Sequence, residues 1–418
     1  FGTGSVAIGK DALFAQNFTT ATTSFNTAVG DSAGMNVTTG VENTLVGAEC
    51  GDALTTGIRN SAFGVGALGS MTEGRSNTAI GRTALSTDTK GRFNVAVGED
   101  ALAAQNFTTL TSSYNTAVGY LAGGSITTAV QNTLIGAFAG DALTNTGHNN
   151  VAVGAFSLSA CVTGTQNTAV GVQALNVATG NNNVAVGINA GLAISTGSSN
   201  TVVGALAGDS MTTGSNNVIM GNQAAGGGTI TGGQNTVIGT TAGFDLSSGG
   251  NNLILGFDAG RTGSPGGNIT TNSHAIALGD ENILGFHCQV ALTVASDERD
   301  KTDFTDLDLG LNFVKGLTPV TYKWDKRSKY GDKNADDYDL NAQTPDGTHK
   351  EDWLDIGFKA QEVIALEEAA GYKISDKTNL VSNLTEDGKQ YGLQYENFVP
   401  ILVKAIQELS EEIEKLKS

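Results

Sequence analysis

Most of the first 290 residues are variations on one five-residue phrase. Asn-Thr-Ala-Val-Gly stands at Asn26–Gly30 and returns with variants at Asn43, Asn60, Asn77, Asn94, Asn115, Asn132, Asn150, Asn167, Asn183, Asn200, Asn217, Asn235 and Asn252. The spacing is mostly 17 residues, sometimes 16 or 18, with longer steps of 21 (Ser5 to Asn26), 21 (Asn94 to Asn115) and 23 (Asn252 to Ala275), giving 16 units. A fixed period of this size indicates stacked copies of one small unit, because such a unit cannot bury an apolar face by itself.

Each unit reads as a short strand carrying alternating apolar residues (Val29, Val97, Val170), then a Gly that permits a bend or φ > 0. A small-residue run such as Ser32-Ala33-Gly34 or Gln173-Ala174-Leu175 follows, then a polar turn such as Thr39-Gly40. Gly and Thr at this density oppose helix. Stacking puts the Asn residues in a ladder whose amides bond along the stack or to a turn backbone. Sixteen turns at the strand spacing give a rod of roughly 75 Å. With 57 Gly and only 6% aromatic residues, one chain buries a thin core, which three chains sharing an axis would thicken.

Charge divides the chain. Residues 296–418 hold 16 of the 23 Lys and Arg and 26 of the 41 Asp and Glu. The net charge of −18 argues against nucleic acid, which needs clustered basic groups. No run of 18 apolar residues marks a membrane span, so no membrane insertion is expected. Cys50, Cys161 and Cys288 are far apart and odd in number, and read as small buried residues. His274 and the His287-Cys288 pair lack a paired-ligand motif, so neither metal nor cofactor is expected. The chain opens at Phe1 in mid-pattern, so a preceding segment is expected.

From Ser296 onward the reading is a small α+β domain. Thr318–Trp324 alternates like a strand, Asp325–His349 is loop-like, Trp353–Phe358 leads into a helix at Lys359–Val363, and Gln390–Tyr395 is a second strand candidate. A terminal helix is expected over 397–417, with Pro400 suited to its first turn. There Val399, Leu402, Ile406, Leu409, Ile413 and Leu416 follow the 3,4 spacing of a coiled-coil seam. Three heptads are marginal alone, so the helix is read as packed in an oligomer.

The repeat resembles the head repeats of trimeric autotransporter adhesins of the YadA type, and repeat shafts of marine phage tail fibres. The resemblance implies a trimeric, left-handed parallel β-roll or solenoid. Residues 296–418 resemble the C-terminal intramolecular chaperone of endosialidases and other phage tailspikes and fibres, also present in the myelin regulatory factor. Its carriers are Ser296-Asp297-x-Arg299-x-Lys301, Tyr322-Lys323-Trp324, Ile356–Val363 and Tyr395-x-x-x-Val399–Leu409. That family trimerises, aligns three fibre chains and releases itself through a Ser–Lys dyad. The resemblance therefore implies Ser296 as nucleophile and Lys301 as base, with Asp297 and Arg299 orienting the junction. It favours a cut on the Ser296–Asp297 side, whereas attack by serine on its preceding carbonyl would cut Ala295–Ser296. The chain departs from the pattern at Asp300 and at Asp303-Phe304. A carboxylate beside a basic amine favours the charged form, so slower cleavage is expected.

The fold expected is thus mainly β: a solenoid over 1–290, a junction with the cleavage motif over 291–301, and a chaperone domain over 302–418. The function expected is the structural and receptor-binding part of a phage tail fibre, assembled as a homotrimer with other virion tail proteins. Its receptor would be a host glycan or outer-surface protein. Two near-identical insertions, Ala15–Thr20 and Ala104–Thr109, supply Asn17, Phe18, Asn106 and Phe107 as candidate receptor contacts, or else structural loops covering the stack. Arg261–Asn272, with Pro265, is a third insertion. The alternatives are a cellular adhesin on a bacterial surface and a glycan-cleaving tailspike. The second would need paired carboxylates in a groove, and the acids of the repeat show no such grouping.

Overall fold

The structure is a computed structural model that describes residues 2–287, 289, 294–333, 335 and 337–417. It divides into two compact units, Phe1–Ala259 with Thr270–Ile276, and Gly260–Ile269 with Ala277–Ser418.

In the repeat, a 16-stranded parallel sheet runs in chain order from Val6–Ile8 to Ile276–Leu278, one three-residue strand per turn. Neighbours are in step: Thr27 pairs with Thr44, Ala28 with Leu45 and Val29 with Val46. The fold is therefore a parallel β-solenoid. Successive side chains of a strand point to opposite faces, so Asn26 and Ala28 share one face and Thr27 and Val29 the other. The Asn–Ala face is the inner one, with Asn26, Asn43 and Asn60 and the intervening Ala28, Leu45 and Ala62 fully buried. The apolar residues expected on the strand, Val29, Val97 and Val170, lie on the half-buried outer face. The inner face is closed by Leu54, Leu68, Leu85, Leu102, Leu158 and their equivalents on the opposite arm, all buried.

The buried Asn residues are satisfied by their own column. Asn60 Nδ2 donates to Asn43 Oδ1 at 3.1 Å and to the Gly74 carbonyl at 3.0 Å, while its Oδ1 accepts from the Asn77 backbone N and Nδ2 at 3.1 and 3.2 Å. The Asn60 amide thus uses both donors and both lone pairs, which offsets its burial. At the 21-residue step the column is patched: Asn115 Nδ2 turns to Gln105 Oε1 at 2.8 Å, and Ser113 Oγ donates to Asn94 Oδ1 at 2.8 Å.

The Gly closing each strand is dictated by the stacking. Gly136 has φ +137°, and a Cβ there would stand 2.5 Å from the Gly154 carbonyl oxygen one turn on. Gly136→Ala is expected to destabilise the stack by on the order of 3 kcal/mol. Hydrogen exchange should register faster opening of the turns around residues 119–154; unchanged protection would contradict this account.

Among the described residues the second unit carries three α-helices, α1 (Leu311–Gly316), α2 (Ala360–Ala369) and α3 (Phe398–Lys417). It has two antiparallel pairs, Val320–Tyr322 with Asp355–Gly357 and Ser382–Leu384 with Tyr391–Leu393. Leu309, Phe313, Val363, Val381, Phe398 and Ile401 form its core. Two elements escaped the sequence reading, α1 and the strand at Ser382. Short elements without a clear period give little signal, and α1 is held by tertiary contacts, its Leu311 N–H capped by Glu408 Oε2 at 2.7 Å. Glu367 on α2 is buried and accepts the backbone N–H groups of Leu380, Val381 and Ser382 at 2.7, 2.8 and 3.1 Å.

Candidate functional site

The junction is built on a single tight turn. Asp297 caps the 3₁₀ turn Glu298–Asp300, its carboxylate accepting the Arg299 backbone N–H at 3.0 Å. Arg299 folds back with Nε 3.0 Å and Nη2 2.6 Å from the same carboxylate. That guanidinium holds the Asp297 carboxyl below its ordinary range and keeps it ionised. The clamp works because a planar guanidinium and a carboxylate match in two places at once.

Past the turn the backbone extends at Lys301, which brings residues five apart in sequence together. The Lys301 Nζ donates to Ser296 Oγ at 2.6 Å. Once the amine is neutral, the same separation serves proton transfer in the other direction. Both side chains are exposed, and among the described residues Lys301 forms no ion pair with Asp300. Asp303 takes φ +59°, in the left-handed region that Asn and Asp enter more readily than most side chains.

Residues 296–372 match the family described as chaperone of endosialidase. The match begins at the serine that Lys301 touches. A chaperone-of-endosialidase domain therefore follows directly on a parallel β-solenoid in this chain, an arrangement that fits a tail-fibre or endosialidase-type protein. The domain's fold continues beyond the matched stretch, since its core needs Val381, Phe398 and Ile401. No curated protein and no solved structure matches the chain.

The remaining candidate residues are placed as follows. On α3, Phe398, Ile401 and Ala405 face the domain's own core and are buried. The predicted seam, Val399, Leu402, Ile406, Leu409, Ile413 and Leu416, is exposed at every position, from 42% at Ile413 to 86% at Leu416. The helix therefore has two apolar faces, of which its own domain covers one.

Among the receptor-contact candidates, Asn17 and Asn106 are exposed, but Phe18 and Phe107 are buried at 8% and 7%. This corrects the reading of the two phenylalanines as protruding tips. Phe107 is held inward because its backbone N–H donates to Asp88 Oδ1 at 3.1 Å, and Asp88 also takes Gln105 Nε2 at 2.7 Å. Burial raises the Asp88 carboxyl above its ordinary range, against these hydrogen bonds. Both insertions end in one extra parallel pair, Gly2–Thr3 with Thr22–Thr23 and Gly91–Arg92 with Thr111–Ser112. The exposed aromatics lie just past these pairs, at Phe25 and Tyr114.

Burial pushes the Cys50 thiol up to about 12 and Cys161 to about 11, which makes both poor nucleophiles. His274 and His287 are exposed, and Cys288 lies outside the described residues. Among the described residues no group of three or more His, Cys, Asp or Glu could hold a metal, and no helix is long and apolar enough to cross a membrane.

Proposed function

We propose that this chain is part of a trimeric phage tail fibre, a β-solenoid shaft or receptor-binding rod folded by a self-cleaving C-terminal chaperone. The observation that carries the reading is the chaperone-of-endosialidase match set directly after a parallel solenoid, with its first residue bonded to a lysine. Two exposed apolar features support the trimer. One is the α3 seam. The other is the outer face of the solenoid sheet, where Phe63, Ile80, Ile135, Met220 and Ile238 are each about 40% exposed. These solenoid side chains are already more than half covered, so burying the remainder between chains contributes on the order of 1 kcal/mol apiece. Host attachment and a place in the virion belong to the same proposal, with a surface glycan or protein as receptor.

In the cleavage step Lys301 removes the Ser296 hydroxyl proton as Oγ adds to a neighbouring peptide carbonyl. The C–N bond breaks, the nitrogen takes the proton, and water hydrolyses the resulting ester to a carboxylate and the free hydroxyl. Attack on the Ala295 carbonyl passes through a five-membered ring, and attack on the serine's own carbonyl through a more strained four-membered one. An ammonium in water is stabilised in its charged form, whereas burial favours the neutral amine. The exposed pair therefore awaits neighbouring chains that cover it, and cutting follows assembly.

Intact-mass analysis of freshly purified protein tests this. A fragment of about 120 residues is expected from the wild type, and its first residue identifies the bond. Ser296→Ala should release none. Release from that variant at the wild-type position would refute the assignment.

A further inference from the structure

The cut beside Ser296 does not fall at the edge of a compact unit. It runs through one, because Gly260–Ile269 and the segment starting at Ala277 fold together with the chaperone domain. Gly260–Ile269 sits inside the 23-residue step, so it is there that the repeat departs furthest from its period.

The bonds across the future cut are specific. The Asn268 backbone N–H donates to Asp387 Oδ2 at 3.2 Å. The other oxygen of that carboxylate is oriented by Thr385 Oγ1 at 2.5 Å and the Lys389 N–H at 3.1 Å. Glu281, only 7% exposed, is ion-paired with Lys333. Its backbone carbonyl accepts from Lys326 Nζ at 2.6 Å, and Lys326 is also paired with Glu351 at 3.2 Å. Ser264 and Ile269 are buried, and Gly263 lies so close to Ser328 that an added Cβ would stand 2.5 Å from the Ser328 Cβ. By contrast, the hydrogen bonds of Ser296–Lys301 are all internal among the described residues. Cutting there removes one covalent link and none of the bonds just named.

We propose that residues 260–269 and 280–281 form a non-covalent seat that keeps the cleaved C-terminal fragment on its own shaft. The partner is thus this chain's own residues from about 297 to 418. The Glu281–Lys333 pair, which spans the cut, is largely shielded from solvent and so weakly screened by salt, and the seat holds at physiological ionic strength. The inference rests on Ser296 and Lys301 being a cutting pair, and its test separates the two ideas.

Fully processed protein should give two bands on a denaturing gel but a single species on gel filtration in physiological salt. Glu281→Lys places a cation against Lys333, and should still give two bands while the fragment elutes apart from the shaft. The swap Glu281→Lys with Lys333→Glu should restore co-elution, which a merely misfolded variant would not. Separate elution of the wild-type fragment would overturn the seat, as would co-elution in Glu281→Lys. If the wild type gives one band, the cutting pair fails instead. The seat is then tested in Ser296→Ala carrying a protease recognition sequence between Ala295 and residue 296. Co-elution after digestion supports the seat, and separation overturns it.

Discussion

A chain ending at Ala295 is expected to emerge as aggregates or misassembled oligomers, not as a defined trimer. The physical reason lies in the repeat's own regularity. Each strand offers its neighbour a buried Asn, an apolar inner residue such as Ala28, Leu45 or Ala62 and an apolar outer residue such as Val29, Val46 or Phe63 in the same order, so a slip of one unit between chains keeps most contacts. Nothing in such a stack ranks the correct register far above its neighbours. Long-range pairing is also slow, which leaves edges exposed while chains search. The last strand, Ile276–Leu278, ends the sheet and presents such an edge. In the proposed assembly, the exposed seam of the 20-residue helix would fix the register before the shaft forms.

The same logic predicts that the seam can be separated from the fold of its own domain. Leu402→Glu with Ile406→Glu and Leu409→Glu should leave the domain core intact, since that core uses Phe398 and Ile401. Trimer formation should nevertheless be lost. Light scattering coupled to gel filtration reads both outcomes. A soluble, correctly sized trimer from the chain ending at Ala295 would sink the argument.

Asn60→Asp is expected to be among the most damaging single substitutions in the shaft, although it changes scarcely any volume. Asn60 donates to Asn43 Oδ1 and to the Gly74 carbonyl from a fully buried position. A carboxylate donates nothing when ionised, and would there face two acceptors without solvent. Asn43 Oδ1 keeps the Asn60 backbone N–H at 3.0 Å, but the Gly74 carbonyl loses its donor, which costs roughly 1–3 kcal/mol, and burying the charge adds to that. The neutral acid recovers one donor, so the loss should be smaller below the ordinary carboxylate range and grow as pH rises. Because repeat stability is local, hydrogen exchange should place the defect in the turns between Asn43 and Asn77. A variant with wild-type protection at neutral pH would show that the ladder contributes little.

The solenoid was legible because its signal repeats: a period near 17, a recurrent Asn and a recurrent Gly leave few ways to stack. The face assignment was less legible. A three-residue strand gives one inward side chain beside the Asn, and Val looks a better core residue than Ala until the buried Asn sets the parity. The burial of Phe18 and Phe107 was hard to read for a related reason. An aromatic in a polar insertion resembles a protruding tip, but Asp88 sits 19 residues away in sequence and draws Phe107 inward. In the C-terminal unit the helix seam and the junction motif could be read, whereas α1 and the Glu367 cradle depend on chain brought from elsewhere.

The opening phrase and the Ser296–Lys301 motif thus belong to the sequence alone: periodicity and spacing are local properties, and each imposes its geometry wherever it occurs. The tertiary structure decided which side of each strand is core, and which of the two apolar faces of α3 its own domain leaves exposed. It also decided that the Ser296–Lys301 pair lies inside a compact unit, because a carboxylate at Glu281 and an amine at Lys333 become partners only once the chain has folded.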